Sequence, residues 1–317
     1  MYKLRDWIDI NKINWYMLSN NPNAIDLLSN NKDKIDWRML SRNPNAIHLL
    51  SKNLDKIDWF ELSNNPNAIH LLENNVNKIN WYQLSSNPNA IHLLSKNKDK
   101  IDWQKLSFNP NAVHLLEKYL DNKKLNKFPF YYFKCLFVSK NIDKIGWVEL
   151  SENPNAIHLL EKNIDKIDWS WLSINPNAIH LLEKNINKIN WSWLSSNPNA
   201  IHILSKNNNK IDWDWLSDNP NAIHLLEKNS DKINWSALSR NPNAIHILEK
   251  NNDKINWCLL SMNPSIFEYD YEALEKRCNI FKEELMKKAL HPSIIKRYLN
   301  HPYLKDKDLG YILDNCI

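Results

Sequence analysis

Nine histidines recur along the chain in the same local setting: His48, His70, His92 and His114, then His158, His180, His202, His224 and His246. Imidazole is a metal ligand and a general base, and with the aspartates and serines that recur beside it a zinc site or a Ser-His-Asp arrangement could be drawn on paper. Spacing argues against both. One histidine per 22 residues puts neighbours about one packed layer, roughly 10 Å, apart, whereas the ligands of one zinc ion lie about 2 Å from the metal. The same residues in eleven near-identical copies would also mean eleven copies of one catalytic site. The expectation is a solvated outer stripe, with a pH-dependent contact surface as its alternative use. No nucleophile–base pair, phosphate loop or metal signature is found, and with only Gly146 and Gly310 there is no glycine-rich cradle. Catalytic residues, cofactors and a small-molecule substrate are therefore not expected.

A second ladder is basic: Lys34, Lys56, Lys78, Lys100, Lys144, Lys166, Lys188, Lys210, Lys232 and Lys254. A regular row of cations can track a phosphate backbone, so nucleic-acid binding through Lys166, Lys188 and Lys210 is the alternative functional reading. Against it, acidic or amide residues flank these lysines, as Asp165 and Asp168 flank Lys166, and the formal charge of the whole chain is only +5.

What positions both ladders is a repeat. Eleven prolines, Pro22 to Pro110 and Pro154 to Pro264, stand at 22-residue intervals within each block, and a period of 20 to 50 residues is the signature of a solenoid or array. In the unit from Asp165 to Asn185, Asp168 is a helix N-cap ahead of Trp169, and Ile167 with Leu172 has the spacing of a hydrophobic staple. This predicts a short helix over 169–174. Asn175 caps a second helix with Pro176 at its first position, and Asn185 suits a left-handed residue at its end. Ala178, Ile179, Leu181 and Leu182 cover one face of that helix while His180, Glu183 and Lys184 leave the other. Helices this short are unstable alone; stacking must hold them, chiefly through the recurring tryptophans.

The expected fold is all-α: an elongated α-solenoid of about twelve 22-residue two-helix repeats with terminal caps, on the order of 120 Å long. Residues 1–10 form the N-terminal cap, 11–262 the array and 263–317 a helical C-terminal cap. Within the array, 120–141 keeps the phase but loses the motif, with Leu125 for the tryptophan and Tyr132 for the proline. It reads as one degenerate repeat whose aromatic residues refill a core, with a kink or a docking point as the other reading. In the C-terminal cap a long helix from about Tyr271 to Leu290 is stopped by His291-Pro292, and shorter helices follow around 293–299 and 305–313.

Packing fixes most positions of the repeat, so specificity belongs to those that vary: the two residues after the tryptophan and the one after the serine. They include Arg38, Arg42, Phe60 and Phe108, and in three successive repeats Trp171, Trp193 and Trp215 occupy one such slot. Aromatic and arginine residues anchor protein interfaces, so these seven are the candidate partner-binding residues; the extra tryptophans could equally serve the core.

The run from Phe128 to Val138, broken by Lys134, is too short to span a membrane, no secretory leader precedes the first repeat, and Cys135, Cys258, Cys278 and Cys316 have no paired spacing. An intracellular protein without membrane partners is expected. The combination of Leu-Ser-x-Asn-Pro-Asn-Ala-Ile-His-Leu-Leu, the Asp-Lys-Ile-Asp-Trp link and the closing Asn-Pro-Ser-Ile-Phe-Glu-Tyr-Asp-Tyr resembles the NPNA-type 22-residue repeat proteins of giant DNA viruses of amoebae and algae. The resemblance implies a viral origin and an infected-cell setting, in the cytoplasm, the virus factory or the virion; it carries no activity or site residue with it. The leading expectation is a non-enzymatic scaffold that binds a host or viral protein, with nucleic-acid binding or a self-associating structural role as alternatives.

Overall fold

The computed structural model describes residues 1–125 and 145–299. They fall into two compact units, Leu4–Phe267 and a smaller one made of Met1–Lys3 with the segment that begins at Glu268.

The larger unit is the expected α-solenoid of two-helix repeats. Its eleven layers are numbered here by their tryptophans: Trp15, Trp37, Trp59, Trp81, Trp103, Trp147, Trp169, Trp191, Trp213, Trp235 and Trp257. Layer 7 shows the local logic. Asp168 accepts the Trp171 N–H at 3.0 Å and starts the helix Trp169–Ile174. Asn175 accepts the Asn177 N–H at 3.0 Å, which fixes a tight turn over Pro176 and Asn177 before the second helix, Ile179–Lys184. The proline thus sits in this turn and not at the first position of the α-helix. Asn185 differs from expectation too: with φ −132° it is not left-handed, and its side chain caps the helix by donating to Leu181 O at 2.9 Å. A further 3₁₀ turn, Ile164–Lys166, leads into the layer.

Between layers, the buried groups are polar as well as apolar. Leu172, Ala178 and Leu182 are fully buried, and so are Ser173 and Asn175. Ser173 Oγ donates to Trp169 O at 2.7 Å and accepts the Asn190 N–H of layer 8 at 3.0 Å. Asn175 Nδ2 donates to two carbonyls of layer 6, Ser151 at 2.9 Å and Asn153 at 3.0 Å. Ser173 and Asn175 find partners for their buried polar atoms, so hydrogen bonds offset the desolvation of the clips that lock layer spacing. The tryptophans, expected to carry the stacking, are only half-buried. The thin layer leaves room at its centre for leucine and alanine, while the indoles cover the layer edges.

The same clips join the last layer to the first. Ser261 Oγ accepts the Asn14 N–H at 2.9 Å, and Asn21 Nδ2 donates to Ser261 O at 3.0 Å and Asn263 O at 2.9 Å. Asn23 Nδ2 reaches Pro264 O at 3.0 Å, and Lys12 Nζ lies 5.0 Å from the centre of the Trp257 ring. The unit is therefore a closed ring of eleven layers, and the length expected of an open stack gives way to a closed path.

Among the described residues no layer stands between layers 5 and 6. Layer 6 stacks directly on layer 5: Asn153 Nδ2 donates to Ser107 O at 2.9 Å and Asn109 O at 3.1 Å, and the Gly146 N–H reaches Ser107 Oγ at 3.2 Å. Sequence shows why. In the degenerate segment the sequence has Lys124 at the N-cap position, Pro129 at that of the clip serine, Tyr131 at that of the clip asparagine and Lys134 at that of the buried alanine, so it lacks the residue types that make the clips. Residues 126–144, with the aromatic cluster, lie outside the described residues.

In the smaller unit the Tyr2 and Tyr269 rings stack with centroids 5.0 Å apart and Lys3 pairs with Glu268 at 3.4 Å. Asp270 caps a long helix, Tyr271–Ala289, and Pro292–Leu299 follows it, as the His291-Pro292 stop signal predicts. The shorter helix expected at 305–313 lies outside the described residues.

Candidate functional site

Layers of a closed ring converge toward its axis. The closest backbone approaches between neighbouring layers are those of the first helices, which places them at the smaller radius, with the second helices outside. On each first helix the leucine and the serine are buried. The one-after and two-after tryptophan slots and the slot after the serine lie on the opposite side, 100° to 200° around the helix on a 3.6-residue period. The variable positions therefore face the opening of the ring.

Eleven layers at an interaxial spacing of about 8–10 Å give a circle of first helices about 30 Å across, and removing one helix thickness of about 10–12 Å leaves an opening of about 20 Å. Its wall is near neutral. The variable slots hold Arg38, Arg42, Lys105 and Arg240 against Glu61, Glu149, Glu152, Asp214 and Asp218.

The candidate residues fall into two groups on this wall. In layers 2 and 3, Arg38 Nη2 and Arg42 Nε close on the two oxygens of Glu61 at 3.1 and 3.5 Å, with Phe60 beside them 44% exposed. Glu61 is buried and holds the Arg38 guanidinium proton more tightly than usual, first through the hydrogen bond and then through its charge. Glu61 stands in a varying slot but is not one of the seven candidates; it lies 23 residues after Arg38, one repeat plus one residue, which pairs the two across the layer boundary.

The second group runs through layers 5 to 9. Trp171 and Trp193 meet edge to face with centroids 4.6 Å apart, Trp193 and Trp215 stack at 6.4 Å, and Phe108 meets Trp171 at 6.2 Å across the intervening layer 6. Lys105 extends the row, its Nζ 5.2 Å from the Phe108 ring and 4.9 Å from that of Tyr82. Trp215 remains 44% exposed and Trp171 and Trp193 are half-buried. These tryptophans belong to the wall and not to the core between helices. Layer 6 places Glu149 and Glu152 in the slots held by Trp171 and Phe108 in their own layers. Glu149 Oε1 accepts from Gln104 Nε2 at 2.6 Å. Burial pushes the Glu152 carboxyl above the usual carboxylate range.

Both sequence ladders have structural partners. Lys188 Nζ lies 4.4 Å from the Trp169 ring centre, Lys166 4.9 Å from Trp147 and Lys210 4.5 Å from Trp191, each lysine covering the tryptophan of the preceding layer. The histidine ladder is on the second helices and exposed, as expected. His92, His158, His180, His202 and His246 each meet the glutamate one layer back, at 2.6 to 3.1 Å. At His48, His70, His114 and His224 the residue at the glutamate's position one layer back is Ser29, Ser51, Ser95 and Ser205. Among the described residues no cluster of side chains fits a metal ion and no helix is long and apolar enough to cross a membrane.

Comparisons with protein-family models, with curated proteins and with solved structures each return no match to this chain.

Proposed function

We propose that the chain is a non-enzymatic repeat scaffold of viral origin that holds a host or viral protein on the inner wall of its ring. One observation carries this reading: the clip and core positions repeat almost unchanged around all eleven layers, while the variation is concentrated on first-helix slots that face the opening. A surface that varies from layer to layer on a rigid frame is what a repeat protein offers a specific partner. The expected setting is the cytoplasm or virus factory of an infected cell, with the virion as a further place.

The nucleic-acid reading is weaker. Lys166, Lys188 and Lys210 already cover tryptophans, and the near-neutral inner wall offers a phosphate backbone no continuous cationic path. End-to-end self-association loses its means as well, since layers 1 and 11 occupy each other's faces.

The test is site-directed photo-crosslinking in infected cells, with the photoreactive residue at Ser192 on the inner wall or at His202 on the outer helices, with and without nuclease. A discrete, nuclease-resistant protein adduct from Ser192 alone supports the scaffold. Adducts only with nucleic acid, or with no protein from either position, overturn it.

A further inference from the structure

The inner wall is apolar on one side only, and this asymmetry points to the shape of what it holds. Trp171, Trp193 and Trp215 occupy three successive layers of eleven, an arc of about 100°, close to the width of the apolar stripe of an amphipathic helix. The opening of about 20 Å is wider than one helix, whose diameter with side chains is about 10–12 Å, and the single tryptophan arc presents an apolar face for one helix. Charge adds a constraint. The tryptophan arc has Glu152 in the layer before it and Asp214 in its own last layer beside Trp215, Arg240 of the layer beyond is paired with Asp218 at 3.0 Å, and Phe108 closes over the Glu152 layer to meet Trp171. Glu152 is half-buried, and Asp214 is exposed, its Oδ1 accepting from Asn234 Nδ2 at 2.8 Å.

Resting on the scaffold reading above, we propose that the ring takes a single amphipathic α-helix of a protein partner along its axis, apolar face on Trp171, Trp193 and Trp215, with lysine or arginine at the borders of that face meeting Glu152 and Asp214. Aromatic anchors in a desolvated pocket carry most of the binding free energy of such a contact, and the helix-in-groove mode reads out as residues at i, i+3, i+4 and i+7. A cation entering between the aromatic rings and the carboxylates gains from both.

The experiment is selection of a displayed library of randomised single-helix peptides on the intact protein. Enriched peptides are then measured against the parent, Trp193→Ser, Asp214→Lys and, for the outer surface, His202→Ala. The expected result is enrichment of helices with one apolar stripe bordered by lysine or arginine, bound at least tenfold more weakly by Trp193→Ser and at least fivefold more weakly by Asp214→Lys, and equally well by His202→Ala. Asp214 is exposed, so its variant keeps the test decisive if the tryptophan variant fails to fold. Enriched peptides that bind both inner-wall variants like the parent overturn the lumen proposal while leaving a protein scaffold standing. A selection that yields no binding helix overturns the helix proposal, and the crosslinking experiment then decides separately whether any protein is held.

Discussion

Asn21, in the first layer, donates its side-chain N–H to the carbonyl of Asn263, in the last, at 2.9 Å. The sequence places these residues 242 positions apart, yet the contact has the same atoms and nearly the same length as the one between Asn197 and Asn175 in adjacent layers, 3.0 Å. A ring has no end layers, so no clip is peripheral. Substituting Asn21 by Ala leaves buried carbonyls short of a donor at a cost of about 1–3 kcal/mol, and the same substitution at Asn175 should cost the same within error. Urea unfolding of the two variants checks this; an open array would leave Asn21 only its local bond to the Asn23 N–H and make its change clearly the milder of the two.

The lysine ladder is expected to act on stability. Cation–π contacts at exposed sites contribute about 0.5–1 kcal/mol each. Replacing Lys166, Lys188 and Lys210 together by Met, which keeps the aliphatic stem, should lower the melting midpoint. Single-stranded oligonucleotides should show no steep, salt-dependent binding to either protein; such binding to the parent, lost in the variant, would restore the nucleic-acid reading.

Glu152 gives a pH dependence with a definite sign. Its carboxyl is raised by desolvation in the folded ring, so its contribution to stability is present when it is protonated and is lost as pH rises through the folded value. Glu152→Gln should therefore raise the melting midpoint at neutral pH, and the gain should vanish below about pH 4, where a glutamate of ordinary acidity is itself protonated. A gain that persists at low pH would mean the effect is not electrostatic.

Layer 6 has the one first helix without a side-chain N-cap. Gly146 stands where other layers carry Asp or Asn, and the Glu149 carboxylate folds back into the space a Cβ would need. Gly146→Asn should accordingly stabilise the ring by a few tenths of a kcal/mol only when Glu149 is also changed to Ala, and should be neutral or harmful alone. Thermal melts of the two single variants and the double variant measure that coupling.

Much of this was legible in the sequence because local chemistry decides it. Asp168 announces the start of its helix, and the variable slots announce where specificity lies. What escaped depends on distance along the chain. Ring closure follows from the small rotation accumulated per layer, which no single repeat encodes, although Lys12 and Asn14 already match the interlayer residues Lys34 and Asp36. The role of Ser173 and Asn175 as interlayer clips was hidden because their local capping duties explain their presence equally well. The lysines misled for a related reason: Lys188 faces a tryptophan 19 residues before it, across a layer boundary that a linear reading does not see.

The most direct test of the ring is a distance between its first and last layers. Spin labels at Asn11 and Asn252, both exposed and in equivalent linkers of layers 1 and 11, on a background with the native cysteines replaced by serine, report that distance by pulsed electron resonance. A closed ring predicts a narrow distribution near about 20 Å, one layer spacing plus the label arms, whereas an open stack of ten intervening spacings predicts more than about 60 Å. The long distance would contradict the ring and, with it, the inner wall on which the proposed function rests.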